Sequence, residues 1–311
     1  MRIPFNRLTV ISILLHYSAR VLARGTRRLM IHGSASENSE FSFVVSILNC
    51  SIFKSDTKFR SKCRHFCSGS LIAPDVVLTA AHCIISDSSA GAAPRNLLRL
   101  RVLVGSSTIS IPSQGSRLVK VRDFLDAGYL RNANVPLNED VGLLFLDSCL
   151  SATRWTMGRM STPQRALDDE YGSVRLVGWG ENEAKSSWIR KSFENMIQPH
   201  AVCTEWYLQK KNSELVASQE ISPERHLCHS GESSSSTCFG DSGGPVIATD
   251  PLSGREIIVG VTSFGMTETC GEGPSYVSRL STYASWIDAT VAAESRCSNN
   301  IASMFATYPL A

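Results

Sequence analysis

The feature that most limits how this chain can fold is a recurrence of short β-type runs separated by turn residues. "FSFVVSIL" (41–48), "LLRLRVLVG" (97–105), "RLVKVR" (117–122), "VGLLFLD" (141–147), "SVRLVGWG" (173–180), "GPVIAT" (244–249) and "REIIVGVTSFG" (255–265) are all of this kind. Branched and aromatic side chains suit a pleated, half-buried surface, and the residues between the runs suit turns. Helical periodicity is scarce. The best candidate is "STYASWIDATVAAES" (281–295), with Ser281 as its candidate N-cap. Many short strands and one late helix predict an all-β fold of barrels or sandwiches. With 311 residues, 43% of them hydrophobic, the chain can build one large domain or two small ones with proper cores. "SGESSSS" (230–236) reads as a loop, and no internal repeat is visible.

Charge and compartment narrow the function. A net charge of +3 is no footprint for nucleic acid, and the basic cluster "KFRSKCR" (58–64) reads as a solvated loop. Arg2 and Arg7, the apolar run "LTVISILL" (8–15) and "VLA" (21–23) read as a secretory signal peptide over residues 1–23. That run is too short to span a bilayer, so a secreted, extracellular and soluble product is expected, without a membrane partner. In an oxidising compartment the ten cysteines should mostly form disulfides. "NCS" (49–51) is a candidate N-glycosylation site, and the tail after Cys297 is expected to fray.

The chemistry centres on "STCFGDSGGP" (236–245), which packs Gly240, Gly243 and Gly244 around Ser242, with Asp241 just before it. Glycines permit tight turns and a close approach of backbone N–H groups, so Ser242 is a candidate nucleophile if a base exists elsewhere. The seven histidines are His16, His32, His65, His82, His200, His226 and His229, and none follows Ser242. "GDSGG" also fits the nucleophile elbow of α/β-hydrolases, but those place the histidine after the serine, which disfavours a lipase or esterase. His82 ends "SLIAPDVVLTAAHC" (70–83), on a turn that Cys83 can pin. Asp140 opens the apolar strand in "NEDVGLLFLD" (138–147). Taken singly, His82 reads as a surface or core histidine and Asp140 as an ordinary acid at a strand start.

Together, the order His82, Asp140, Ser242 and the contexts "TAAHC", "EDVGLLFLD" and "GDSGGP" closely resemble the trypsin/chymotrypsin family of serine proteases. The resemblance runs from Met30 to Ala292, and "VGWG" (177–180) and "TSFG" (262–265) match further landmarks. It implies two packed antiparallel six-stranded β-barrels with a C-terminal helix. Barrel one would take about residues 30–150 and barrel two about 151–290, with a propeptide at 24–29 and a tail at 291–311. Ser242 would attack the scissile carbonyl, His82 take its proton, and Asp140 orient the imidazole. The N–H groups of Gly240 and Ser242 would form the oxyanion hole. The resemblance implies disulfides Cys67–Cys83, Cys203–Cys228 (with Tyr207 in place after Cys203) and Cys238–Cys270. A further family pair would need cysteines at Val174 and Ala248, and both are missing. Cys50 and Cys63 flank one hairpin and can close it, which leaves Cys149 and Cys297. A zinc site of His226, Cys228, His229 and Cys238 is the competing use of those cysteines. The family's calcium loop would fall at 105–117, which holds no Asp or Glu, so no metal or cofactor is expected.

Activation in this family pairs a new N-terminal ammonium with the acid before the serine, here Asp241, with Met30 as the new terminus. Met30 and His32 depart from the usual start, and "TRR" (26–28) invites a cut after Arg28 rather than Leu29. The primary pocket would be formed by Ser236, Ser263, Phe264, Gly265 and Ser275. Ser236 makes its floor neutral, so a preference for aromatic or large apolar side chains is expected, with medium apolar ones second. Ser275, where glycine is usual, narrows it, and Glu268 and Glu272 at the rim offer a competing site for a basic residue. The implied partners are protein or peptide substrates and protein inhibitors, met by a monomer. The rival reading is a protease homologue that binds or inhibits without cutting.

Overall fold

The computed structural model of the chain describes residues 34–36, 39–51, 63–86, 93–110, 113–129, 139–151, 158–160, 172–181, 189–210, 221–230, 236–250, 253–266, 270–271 and 273–297. The expected signal peptide, propeptide and frayed tail lie outside these residues, as do Met30, His32, Glu268 and Glu272.

The chain begins with β1 (Ser34–Ala35), β2 (Val44–Cys50), β3 (Cys63–Ala73), β4 (Val76–Thr79), the single turn α1 (Ala81–Ile84), β5 (Ile85–Ser86) and β6 (Ala93–Pro94). A 3-10 turn (Leu97–Arg99) leads into β7 (Leu100–Val104), β8 (Arg117–Asp126) and β9 (Gly142–Leu146). Six of these strands close an antiparallel barrel in the order β2-β3-β4-β9-β8-β7. Pro74 and Asp75 form the turn that joins β3 to β4. Strands β4, β7 and β9 are buried at every position, so both of their faces are covered and no alternation shows in their sequences.

The second half contains β10 (Ser173–Gly178), β11 (Lys191–Met196), α2 (His200–Lys210), β12 (His226–His229), β13 (Pro245–Thr249), β14 (Glu256–Gly265), β15 (Ser275–Arg279) and α3 (Leu280–Glu294). Its sheet has seven strands in the order β1-β11-β10-β13-β14-β15-β12. A single bridge between Ile197 and His229 draws the β11 side round to β12. The second sheet thus curls into a half-barrel, called barrel two below, whose two sides meet at one bridge rather than a ladder, and β1 adds a strand on β11. Val174, Leu176, Phe193, Val246, Val259 and Val277 are among the residues that fill it. Each such buried aliphatic or aromatic side chain favours folding by about 1.5–3 kcal/mol before the entropy cost.

Helix α3 leaves barrel two and packs Leu280, Tyr283, Ile287 and Val291 into the same core cluster as barrel-one residues such as Leu71 and Phe145. It passes residue 290, and Cys297 just beyond it is bonded to Cys149. Its N-cap is Arg279 rather than Ser281, which lies buried inside the first turn. The sequence also concealed α2. Its apolar positions form no clear stripe, and it is held instead by the Cys203–Cys228 bond and by Tyr207 packed near Tyr276. The remaining disulfides are Cys50–Cys63, Cys67–Cys83 and Cys238–Cys270. Cys228 and Cys238 are therefore unavailable as zinc thiolates. Val174 and Ala248 are direct cross-strand partners, the juxtaposition that a bond between cysteines there would need. No helix among the described residues is long and apolar enough to cross a membrane.

Candidate active site

His82 sits on α1, which begins directly after β4, and Asp140 lies just before β9, the strand paired with β4. Pairing β4 with β9 therefore brings the two together. The Asp140 carboxylate accepts from the His82 backbone N–H at 2.9 Å and pairs with Nδ1 of the ring at 2.8 Å. A carboxylate can only accept, so in neutral His82 the proton sits on Nδ1 and Nε2 carries the lone pair. Asp140 is fully buried, while the His82 side chain is 26% exposed. Burial pushes the Asp140 carboxyl up. The His82 charge, together with hydrogen bonds from the His82 ring, Ser263 and the His82 backbone, outweighs burial and holds it below its ordinary value. Two further hydroxyls come from barrel two: Ser263 donates to Asp140 Oδ2, and Ser278 donates to the Asp140 carbonyl at 3.0 Å. The acid is thus rooted in barrel one and clamped by barrel two.

Ser242 lies in the turn between Cys238 and β13, stitched to both barrels. Its carbonyl accepts from Ser68 N–H, and Gly243 N–H donates to the Thr262 carbonyl, both at 2.8 Å. Gly243 has φ +80°, and a Cβ there would lie 2.1 Å from Thr79 Oγ1, so only glycine fits. The Phe239 carbonyl accepts from Glu181 N–H and the Asp241 carbonyl from Gly244 N–H. A trans peptide points its N–H opposite its C=O, so the N–H groups of Gly240 and Ser242 face away from those anchors. The Gly240 carbonyl is held at 3.0 Å by both His65 Nε2 and Ser68 Oγ.

His82 and Ser242 both line one cavity of about 710 Å³. Ser236, Ser263, Phe264, Gly265 and Ser275 line it too, and no Asp, Glu, Lys or Arg does so among the described residues. Thr237 Oγ1 donates to Ser275 Oγ at 2.8 Å, which ties down the Ser275 hydroxyl. Phe264 stacks on Tyr276 with ring centroids 4.8 Å apart, and Tyr276 is fixed in turn by its hydroxyl on the Cys203 carbonyl.

The sequence profile of the trypsin family matches residues 31–287. The chain belongs to the trypsin family. It is similar to the chymotrypsin-like elastase family member 1 of Macaca fascicularis, 26% identical over 236 residues that cover 73% of this chain and 79% of that protein. The protein of the same name from Homo sapiens is 25% identical over 236 residues, covering 73% of this chain and 82% of its own length. An ovochymase of Halocynthia roretzi is 27% identical over 285 residues, 88% of this chain but 16% of that protein.

Within this trypsin-family chain, Asp241 is buried beside the site. Its carboxylate accepts from Gly180 N–H at 2.7 Å and Cys238 N–H at 2.9 Å. A Cβ at Gly178 or Gly180 would lie 2.3 or 2.0 Å from that carboxylate, so the two glycines of "VGWG" make its room. Burial pushes its pKa up to about 7, against the opposing pull of the Cys238 and Gly180 hydrogen bonds and the Lys191 charge.

Sequence reasoning missed several residues of the site. Phe239, 62% exposed, lines the cavity beside Gly240, and its place between Cys238 and Gly240 was the available signal. Thr237 and Met266 also line it. Ser278 and His65 had no local signal, because each acts through a contact across the fold. Ser263 touches both the cavity and Asp140. The one group of three potential metal ligands among the described residues is Cys67, His82 and Cys83, and both of its sulfurs are in one disulfide.

Proposed function

We propose that this trypsin-family chain is a secreted serine endopeptidase with a neutral primary pocket. The observation that carries the reading is the buried Asp140–His82 pair, with its proton on Nδ1, opening onto the same cavity as Ser242. His82 Nε2 takes the Ser242 proton as Oγ attacks the substrate carbonyl, and Asp140 stabilises the resulting imidazolium. The carbonyl oxygen gains the negative charge, which the N–H groups of Gly240 and Ser242 meet. Collapse expels the amine, which takes the proton from His82, and leaves an acyl group on Ser242. Water, deprotonated by His82, then releases the acid and restores the serine.

The lack of charged side chains among the described cavity-lining residues supports aromatic or large apolar residues on the acyl side of the cut. A buried substrate cation would have no partner there. The Thr237–Ser275 hydroxyl pair narrows the cavity and favours medium apolar residues as the second reading.

Activation proceeds by cleavage that frees Met30 to pair with Asp241. Ser34 and Ala35 pair with Ser192 and Lys191, and Lys191 pairs with Gly178, which abuts the Asp241 carboxylate. Two strand spacings are about 10 Å, and the residues from Met30 to Gly33 reach about 13 Å when extended.

The test is hydrolysis of peptides that differ only at the residue before the cut, by protein processed to Met30. Apolar residues are expected to be cut best. Ser242→Ala should lower kcat/KM by roughly 10⁴-fold or more with the melting temperature unchanged. Strong preference for Arg or Lys would overturn the neutral pocket. Wild-type turnover in Ser242→Ala would remove the nucleophile, and no hydrolysis of any peptide would favour the binding-protein reading.

A further inference from the structure

A second cavity, of about 270 Å³, lies on barrel one outside the cleft. Asn49, Ser86, Arg95, Asn96 and Arg99 line it, and none of its lining residues is acidic among the described residues. It abuts the segment that carries His82. Ser86 ends β5, the two-residue strand that follows α1, and Arg95 Nε donates to the Cys83 carbonyl at 3.0 Å. The Arg95 guanidinium also lies over the Phe66 ring, 5.1 Å from its centroid. That pair of contacts holds the planar group in one orientation, which lowers the entropy lost when it binds a carboxylate. Asn96 uses its side-chain oxygen to cap Leu98 N–H at 3.0 Å, which leaves its amide NH₂ as the donor end. Arg99 is exposed and pairs with no acid among the described residues. Leu98 beside it is 70% exposed, the most exposed of the large apolar side chains among the described residues.

We propose that this patch is an exosite for an acidic segment of a protein substrate. Carboxylates of the segment meet Arg95 and Arg99, and an apolar side chain of the same segment covers Leu98. The charge complementarity selects an anion, and Leu98 selects a polypeptide over a sulfated sugar chain, which has nothing apolar to lay on it. The position next to α1 puts the bound segment on the His82 side of the cleft, so it delivers the rest of the substrate to the site.

Binding is measured separately from hydrolysis, so its failure and that of the protease reading are distinct. The full chain carries Ser242→Ala, which keeps the probe uncut. It also carries Ser51→Ala, which removes the glycosylation motif at Asn49 and leaves the cavity lining intact. The probe is a fluorescent peptide of Asp and Glu around one leucine, compared with its Asn and Gln counterpart by anisotropy at low salt and at about 0.15 M. The acidic peptide is expected to bind at least about tenfold tighter than the neutral one and to weaken with salt. Arg99→Gln should weaken it about threefold, Arg99→Glu about tenfold, and Leu98→Ser also severalfold. Arg95→Gln is read only if its melting temperature is unchanged, since Arg95 also holds the Cys83 carbonyl. Equal binding of the two peptides, or of the acidic peptide to Arg99→Glu, overturns the proposal. So does binding of a heparin fragment where the acidic peptide fails.

Discussion

Asp140 shows how much of the site rests on single contacts. A buried carboxylate is costly to ionise, and here five causes act on it, of which burial alone opposes the charge. Ser263 supplies one of the opposing hydrogen bonds from the other barrel. Ser263→Ala removes a donor to a charged, buried acceptor, which weakens such a site by about 1.5–3 kcal/mol. The Asp140 carboxyl is then expected to rise and the imidazolium to be less well stabilised. The expected outcome is a fall of about tenfold or more in kcat/KM across the pH–rate profile. A wild-type profile in Ser263→Ala would mean that the hydroxyl serves only the cavity wall.

At the scale of elements, two strands carry a half-buried and a buried histidine that the proposed chemistry does not protonate. His65 on β3 donates Nε2–H to the Gly240 carbonyl and accepts from Ser46 Oγ at 2.8 Å. His229 on β12 has Nδ1 3.1 Å from Asn195 Nδ2 and 3.4 Å from the Ser230 carbonyl, and its buried Nε2 has no hydrogen-bond partner among the described residues. Burial lowers both to about 4, against the weaker opposing pull of the Gly240 and Ser230 carbonyls. Below about pH 6.5 the unfolded chain binds these protons and the folded chain does not. Stability is therefore fully present above that pH and is lost as pH falls through about 4, by on the order of 3 kcal/mol per histidine. Denaturant unfolding between those pH values should show this slope, and His229→Gln should remove its share. An unchanged slope in that variant would shift the acid sensitivity to other groups. Protonation of His65 would take place at Nδ1 and displace the Ser46 hydroxyl, while the Nε2–H bond to the Gly240 carbonyl would survive.

At the scale of the whole molecule, the proposed pairing of Met30 with Asp241 would tie processing of the chain to its stability. Its pKa, raised to about 7 by burial, means that the folded chain holds a proton that the unfolded chain loses above its ordinary value of 3.8. The contribution is fully present below that value and is lost as pH rises through about 7, opposite in sign to the histidines. An ammonium paired with Asp241 would lower its pKa and remove the loss. Protein cleaved to Met30 is thus expected to melt higher than uncleaved protein at about pH 8, with the gap closing toward about pH 5. A gap that does not change with pH would disconnect Asp241 from the new terminus.

The sequence by itself determined the family, the all-β character and the neighbourhood of the site, because these are written in short contiguous stretches. "TAAHC" and "GDSGGP" hold local turns that demand small residues, and seven strand runs alternate or cluster in ways a pleated sheet requires. Only the tertiary structure decided what depends on pairs far apart in the chain. Helix α2 has too weak an apolar stripe to be seen without the disulfide and the strand it packs on. Strands such as β3 and β12 are stabilised by partners rather than by their own pattern. The Ser263 and Ser278 hydroxyls reach Asp140 from 123 and 138 residues away, and His65 reaches Gly240 from 175. A hydroxyl or imidazole carries no local mark of its acceptor. Its role is set by which surfaces the two barrels bury against each other.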